Sequence, residues 1–360
     1  MGFDAIRDQD TAVRMLRTVL RKKRLAHAYL FEGPESVGKR LAAMTFAKAV
    51  NCAEPGDDPC DTCRSCTLIA GGKHPDVMTL EPTGSGRIIH TDAIEELLAS
   101  ACLKPYQARY RVFIIVDAER MHISAANKFL KTLEEPPGNS LFILVSHSPD
   151  GLLPTIASRC QRVRFQLLAP HTIEEILIRD RGLSTERARA VSLLAHGQVS
   201  TAFELADSEK REFVIALVTD LTQTDSFLVS QAFLGRIEAE RDRLKRMLKT
   251  EESASESEED SEELAERLEA QQASVLRKEV LSYLDLLRAW FRDMLVFGET
   301  GLSDRLFNAD SAEMVRQLAQ RYKGSDIQRK IDAIARAEML LESNVKEGGV
   351  FKEMFFSLAP

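Results

Sequence analysis

The stretch from Arg111 to Cys160 constrains the fold more than any other part of the chain. Its apolar run, Val112-Phe113-Ile114-Ile115-Val116, is short, β-branched and aromatic. Such a run reads as a strand buried on both faces, as in a parallel sheet. It ends in Asp117-Ala118-Glu119. A helix is expected over about Ser124 to Glu135, stopped by Pro136-Pro137. A second buried strand is expected over Leu141 to Ser146, followed by a third helical stretch leading to Ser158-Arg159-Cys160. Strand, helix and strand of these lengths make a βαβ unit. Open α/β sheets place their ligand chemistry beyond the carboxyl ends of the strands, which is where Asp117 falls.

An earlier strand, His27 to Phe31, leads into Gly33-Pro34-Glu35-Ser36-Val37-Gly38-Lys39-Arg40. The spacing matches the phosphate loop G-x-x-x-x-G-K-[ST] except at its last place. Backbone N–H groups of such a loop cradle phosphates, and Lys39 adds a point charge. Arg40 stands where a hydroxyl would hold Mg²⁺, so Mg²⁺ is not expected. Ser36 stands where many such loops carry another glycine. An ordinary strand-loop-helix turn is the competing reading. Whether ATP or ADP is still held, through Lys39 and the backbone from Gly33 to Gly38, is left open by these residues.

Cys52, Cys60, Cys63 and Cys66 follow in the spacing C-x₇-C-x₂-C-x₂-C, in a chain with two other cysteines, Cys102 and Cys160. This is the pattern of a closed Cys₄ zinc site, in which four thiolates leave no open position for water. Disulfides and a thioredoxin-like redox pair are the competing readings; a reducing cytoplasm disfavours the first. His74, just before Pro75, reads as a loop residue rather than a ligand. Thr91 or Asp92 caps a helix to about Leu103, before Pro105.

The 360 residues allow two or three domains, and 44% hydrophobic content suffices for real cores. No apolar run is long enough to span a membrane, and the first residues lack the charged-then-apolar pattern of a signal peptide. A soluble cytoplasmic protein is the expectation. The net charge of −7 argues against an autonomous nucleic-acid binder. The basic run Arg21-Lys22-Lys23-Arg24 closes a first helix, started at Asp10 or Thr11, and complements its dipole.

With these pieces in order, the first half resembles the clamp-loader branch of the AAA+ ATPases, and within it the delta-prime family of bacterial DNA polymerase III. The matching segments are His27 to Pro34, the cysteine cluster soon after the phosphate loop, and His74-Pro75-Asp76. They continue with Ala125-Ala126-Asn127-Lys128-Phe129-Leu130-Lys131-Thr132-Leu133-Glu134-Glu135-Pro136-Pro137 and Ser158-Arg159-Cys160. The second half matches only in helical character. The resemblance implies an α/β AAA+ (P-loop) domain with a parallel sheet over 1–167, carrying the inserted zinc knuckle at about 52–66. A small helical lid over 168–208 and an all-α collar over 209–360 would follow. It implies partners: tau/gamma and delta subunits, and, in the complex, the sliding clamp and primed DNA.

The departures from the motor subunits of that branch decide the kind of subunit implied. Motors carry Thr after the loop lysine and Asp-Glu at the end of the second motif; here stand Arg40 and, beside Asp117, Ala118. A carboxylate at the Ala118 position would orient the attacking water. Glu119 is a poor substitute if the strand continues, since its side chain would face the other way. No arginine occurs from Leu193 to Ala202, where motors bring a lid arginine to the phosphates. The expectation is a non-hydrolysing subunit that supplies Arg159 as a trans arginine finger to its neighbour; pairing of Arg159 with Glu134 or Glu135 is the local alternative. An active ATPase motor and a free-standing zinc-dependent DNA-binding protein are the rival functions. Residues 251–263 hold eight acidic residues with no base, and read as a solvated, disordered insert in the collar.

Overall fold

A computed structural model of the chain describes residues 2–54, 56–83, 87–252, 261–322, 324–343 and 345–360, with the backbone alone at 247–252, 261–271 and 325. It divides into two compact units, residues 1–172 with 197–200, and residues 173–196 with 201–360.

The first unit is an α/β sandwich. In chain order it holds α1 (Asp10–Lys22), β1 (Ala28–Glu32), α2 (Lys39–Asn51), α3 (Arg64–Ala70), β2 (Val77–Leu80), α4 (Thr91–Ala101), β3 (Arg111–Ile115), α5 (Ile123–Glu134), β4 (Ser140–Ser146), α6 (Pro154–Ala157) and β5 (Gln161–Arg164). The five strands form one sheet in the order β2-β3-β4-β1-β5. Every pairing in it is parallel. The three central strands are the apolar runs legible in the sequence. Strands β2 and β5 lie at the edges, are partly exposed and are only four residues long, too short to give a clear strand signal.

Alternation along β1 sends its side chains to two different layers. Tyr29 and Phe31 pack on Phe46 of α2, with ring centroids 5.1 and 6.4 Å apart. Ala28 and Leu30 join the cluster on the opposite face, with Phe113, Phe129, Leu133, Phe142 and Ile156. Within that cluster Phe142 stacks on Phe113 and meets the edge of Phe129, both at 5.3 Å. Each such aromatic ring contributes roughly 1.5–3 kcal/mol by burial alone.

Chain order and strand order together create the cleft. The chain leaves β1, builds β2, β3 and β4 on one side, and then places β5 on the other. The carboxyl ends of β1, β3 and β4 therefore open onto one edge at a switch point of the sheet.

The second unit is helical, built from most of α7 (Pro170–Arg181), α8 (Thr185–Leu194), most of α9 (Val199–Asp207), α10 (Lys210–Asp220), α11 (Ser226–Glu252), α12 (Ser261–Thr300), α13 (Ala312–Ala319), α14 (Gly324–Glu342) and α15 (Glu347–Leu358). Trp290, Phe291, Tyr283, Phe233, Phe351 and Phe355 fill its core. Buried Asp293 is held by the N–H groups of Phe307 and Asn308, at 3.0 and 2.8 Å. The acidic insert expected at 251–263 lies for the most part outside the described residues; only its ends are described, closing α11 and opening α12. No helix among the described residues is long and apolar enough to cross a membrane.

A candidate cleft at the strand ends and a four-cysteine centre

The loop between β1 and α2 turns through three residues of positive φ. Gly33 sits at φ 145°, where a Cβ would lie 2.3 Å from the Phe165 carbonyl oxygen, so only glycine fits. Gly38, at φ 95°, starts α2. Ser36 takes the left-handed conformation at φ 57°, at the place where a glycine is common. Lys39 is buried and folds back on its own loop, donating to the carbonyls of Gly33 (2.8 Å) and Pro34. Burial holds its pKa below the usual lysine value, partly offset by the carboxylates of Glu119, Glu35 and Asp117. Arg40 points away, its guanidinium bidentate on Glu81.

Beyond β3 the structure departs from the sequence expectation. The strand stops at Ile115 and Asp117 turns left-handed, at φ 48° and ψ 51°. Ala118 to Arg120 then form a single 3₁₀ turn. Strand alternation therefore does not reach Glu119, and the premise that would turn it to the other face fails. Its carboxylate instead meets His147, the first residue after β4, whose backbone N–H donates to Oε1 at 3.2 Å. Ala118 is fully buried within the apolar cluster of the sheet. Asp117 receives Arg87 at 3.1 Å. The cleft thus gathers Lys39, Asp117 and Glu119 around the strand ends. His147 was missed from sequence; its one signal was its position directly after a buried strand.

Arg159 is not part of that gathering. It follows α6, donating to Glu134 Oε1 at 2.7 Å and to the Thr155 carbonyl at 3.1 Å, with its side chain partly exposed. Its neighbours explain the tripeptide: Ser158 Oγ donates to Thr155 (3.0 Å), while Cys160 is buried in the core, its thiol pushed up to about 12 by burial.

Cys52, Cys60, Cys63 and Cys66 converge, their four sulfurs all within 4.8 Å of one another, and none is in a disulfide. Zn–S bonds of about 2.3 Å in a tetrahedron separate sulfurs by roughly 3.8 Å. The N–H groups of Cys60, Cys63 and Cys66 point at the sulfurs of Cys52, Cys60 and Cys63, at 3.4, 3.3 and 3.5 Å. N–H donors aimed at sulfur favour thiolates. Hydrogen bonding by Thr62 and by the Cys63 N–H lowers the Cys60 pKa to about 6, whereas burial raises Cys52 and Cys66. The donor set fits a divalent metal held by four thiolates. His74 is not among them: it is buried, and its Nδ1 accepts from the Asp76 N–H at 3.1 Å.

A family model described as DNA polymerase III, delta subunit, matches residues 8–169. The DNA polymerase III subunit delta' of Bacillus subtilis is 30% identical over 358 residues, 97% of this chain and 96% of that protein. The chain belongs to the delta-prime family of DNA polymerase III. The subunit delta' of Pseudomonas aeruginosa is 40% identical over 136 residues, 38% of this chain and 42% of that protein. The tau subunit of Bacillus subtilis is 28% identical over 352 residues, 93% of this chain and 57% of that longer protein. In this delta-prime chain the phosphate loop keeps its backbone and its lysine, whereas the hydroxyl after the lysine and the carboxylate at position 118 are replaced.

Proposed function

We propose that this chain is a non-hydrolysing AAA+-type subunit of the bacterial replicative clamp loader, helping to load the sliding clamp onto primed DNA in the cytoplasm. In this reading Arg159 is an arginine finger supplied in trans to a neighbouring ATPase subunit. The observation that carries the proposal is the state of the nucleotide cleft: Arg40 is tied to Glu81, Ala118 is sunk in the core, and Lys39 is folded onto its own loop. With no hydroxyl after the lysine and no carboxylate at position 118, the loop is expected not to turn over ATP. Strand order β2-β3-β4-β1-β5 and the loop after β1 support the AAA+ assignment. Tau/gamma and delta subunits are the partners proposed, with the helices of 168–208 acting as lid and those of 209–360 as collar. Cys52, Cys60, Cys63 and Cys66 would hold one zinc ion, a structural cross-link whose four thiolates leave no site for substrate.

An arginine suits the finger role because its fork matches phosphate oxygens and keeps its charge at all working pH values. Its pairing with Glu134 is a surface ion pair, which contributes little stability and is readily exchanged for a phosphate. The test is Arg159→Ala in a loader reconstituted with wild-type motor subunits. Assembly should persist, while stimulated hydrolysis at the adjoining site falls about a thousandfold. Unchanged hydrolysis and clamp loading would leave the chain a scaffold alone. The likeness to tau and the presence of Glu119 beside Lys39 favour a second reading, an active motor. ATP turnover by the pure chain that vanishes in Lys39→Ala would establish that reading instead.

A further inference from the structure

Among the described residues a second group of metal-ligating side chains converges besides the cysteines: Asp117, Glu119 and His147, with donor atoms all within 4.8 Å of one another. The sheet brings them together. Ile115 of β3 is paired in register with Leu144 of β4, so the two following loops leave the same edge side by side. His147 Nδ1 lies 2.6 Å from Glu119 Oε1 and 3.7 Å from Asp117 Oδ1. Arg87 takes the other Asp117 oxygen, Oδ2, which leaves Oδ1 turned toward the group. The Glu119 side chain is only 7% exposed, yet its Oε2 is buried with no hydrogen-bond partner. Buried carboxylate oxygens are otherwise satisfied by a donor or a cation.

We propose that Asp117, Glu119 and His147 bind one divalent transition-metal ion without nucleotide. One imidazole and two carboxylates suit Mn²⁺, Fe²⁺, Co²⁺ or Zn²⁺ better than Mg²⁺, which takes oxygen ligands. The site is reachable: His147 and Asp117 are 27% and 21% exposed, so water can enter and complete the coordination shell. It differs from the magnesium position of a phosphate loop. That position needs a hydroxyl after the lysine and phosphate oxygens from the nucleotide; this one needs neither. On binding, the ion takes the place of the direct contact between His147 and Glu119 and neutralises the two carboxylates. It also clips the loop after β3 to the loop after β4. The second of these loops passes close to Glu119 again at Gly151, where an added Cβ would lie 3.1 Å from the Glu119 Cβ, and it leads on to Arg159.

The test uses the full chain with its four-cysteine site filled by zinc, in buffer free of nucleotide, titrated with Mn²⁺. Mn²⁺ sits at the weak end of the affinity order and does not displace zinc from thiolates. Electron paramagnetic resonance reads free Mn²⁺ directly, and in frozen solution a bound ion shows the nitrogen coupling of an imidazole. One saturable Mn²⁺ per chain is expected. Binding should weaken at least tenfold in His147→Ala and in Glu119→Gln, with the nitrogen coupling lost in the first, and stay unchanged in Glu81→Gln. Glu119→Gln keeps the side-chain shape, so it serves alone should His147→Ala fail to fold. Three outcomes overturn the proposal: no saturable Mn²⁺, uptake that requires added ATP, or uptake that both substitutions leave intact. In any of these cases His147 and Glu119 form a hydrogen-bonded pair and nothing more.

Discussion

Read linearly, Ala118 is a position where the resemblance to motor subunits implies a carboxylate and this chain has none. The left-handed turn at Asp117 instead aims this side chain into the apolar cluster that holds Phe129 and Phe142. A glutamate there would be buried without a partner, at a cost of about 3 kcal/mol or more. Ala118→Glu is therefore expected to lower the melting temperature by several degrees and to leave ATP turnover at background. Appearance of turnover in a stably folded variant would show that the cleft lacked only this one group. Cys160, two residues from Ser158, belongs to the same core, which accounts physically for the end of the Ser-Arg-Cys tripeptide, while Arg159 between them pairs with Glu134 at the surface.

Two loop elements are held by side chains rather than by strands or helices. Asp76, at the start of β2, accepts N–H groups from Tyr106, Gln107 and Ala108, at 2.7, 2.9 and 2.9 Å, and fastens the segment that enters β3. Burial raises the pKa of this carboxyl, but the three N–H donors outweigh it and hold the value below the usual carboxylate range. The unfolded chain then binds the proton more tightly than the folded one. The resulting stability is fully present above the unfolded pKa of about 3.9 and is lost as pH falls through the lower folded value. Asp76→Asn should cost about 1.5–3 kcal/mol at neutral pH, and it should flatten the acid limb of a stability-against-pH curve below pH ~4. The cysteine module is held in the same manner by its sulfurs. Removing the proposed zinc with a chelator, or replacing Cys63 with serine, should expose residues 52–66 to proteolysis. The sheet should keep its circular dichroism, because no member of the Phe113–Phe142 cluster comes from that module. Global unfolding on chelation would give the metal a larger part in folding than proposed.

At the scale of the whole molecule, the chain joins an α/β unit carrying both polar centres to a helical unit with its own aromatic core. The acidic run between Glu251 and Glu263 has no large apolar residue before its final helix to anchor it. Deleting residues 253–260 and joining the ends with a short Gly-Ser linker should leave the melting temperature within about one degree and the loader intact, as read by size-exclusion chromatography of the reconstituted complex. Loss of a subunit from that complex would assign the run to an interface.

Local patterning determined what depended on local patterning. The apolar runs at Ala28 to Phe31, Val112 to Ile115 and Leu141 to Ser146 are buried strands, their β-branched and aromatic residues suiting a sheet covered on both faces. The helix after Met121 ends before Pro136, and the C-x₇-C-x₂-C-x₂-C spacing is short enough that a few turns of chain close it. The edge strands β2 and β5 escaped notice because four residues are too few to show a period, and their pairing is set by neighbours far away in the chain. Glu119 was misjudged for a related reason. Its direction depends on where β3 stops, and that is fixed by the turn at Asp117 and the packing of Ala118, not by the residues of the strand. His147 joins it only because β4 lies beside β3 in register. Only the tertiary structure decided that, since which strand ends share an edge is a property of the sheet order and not of any single segment.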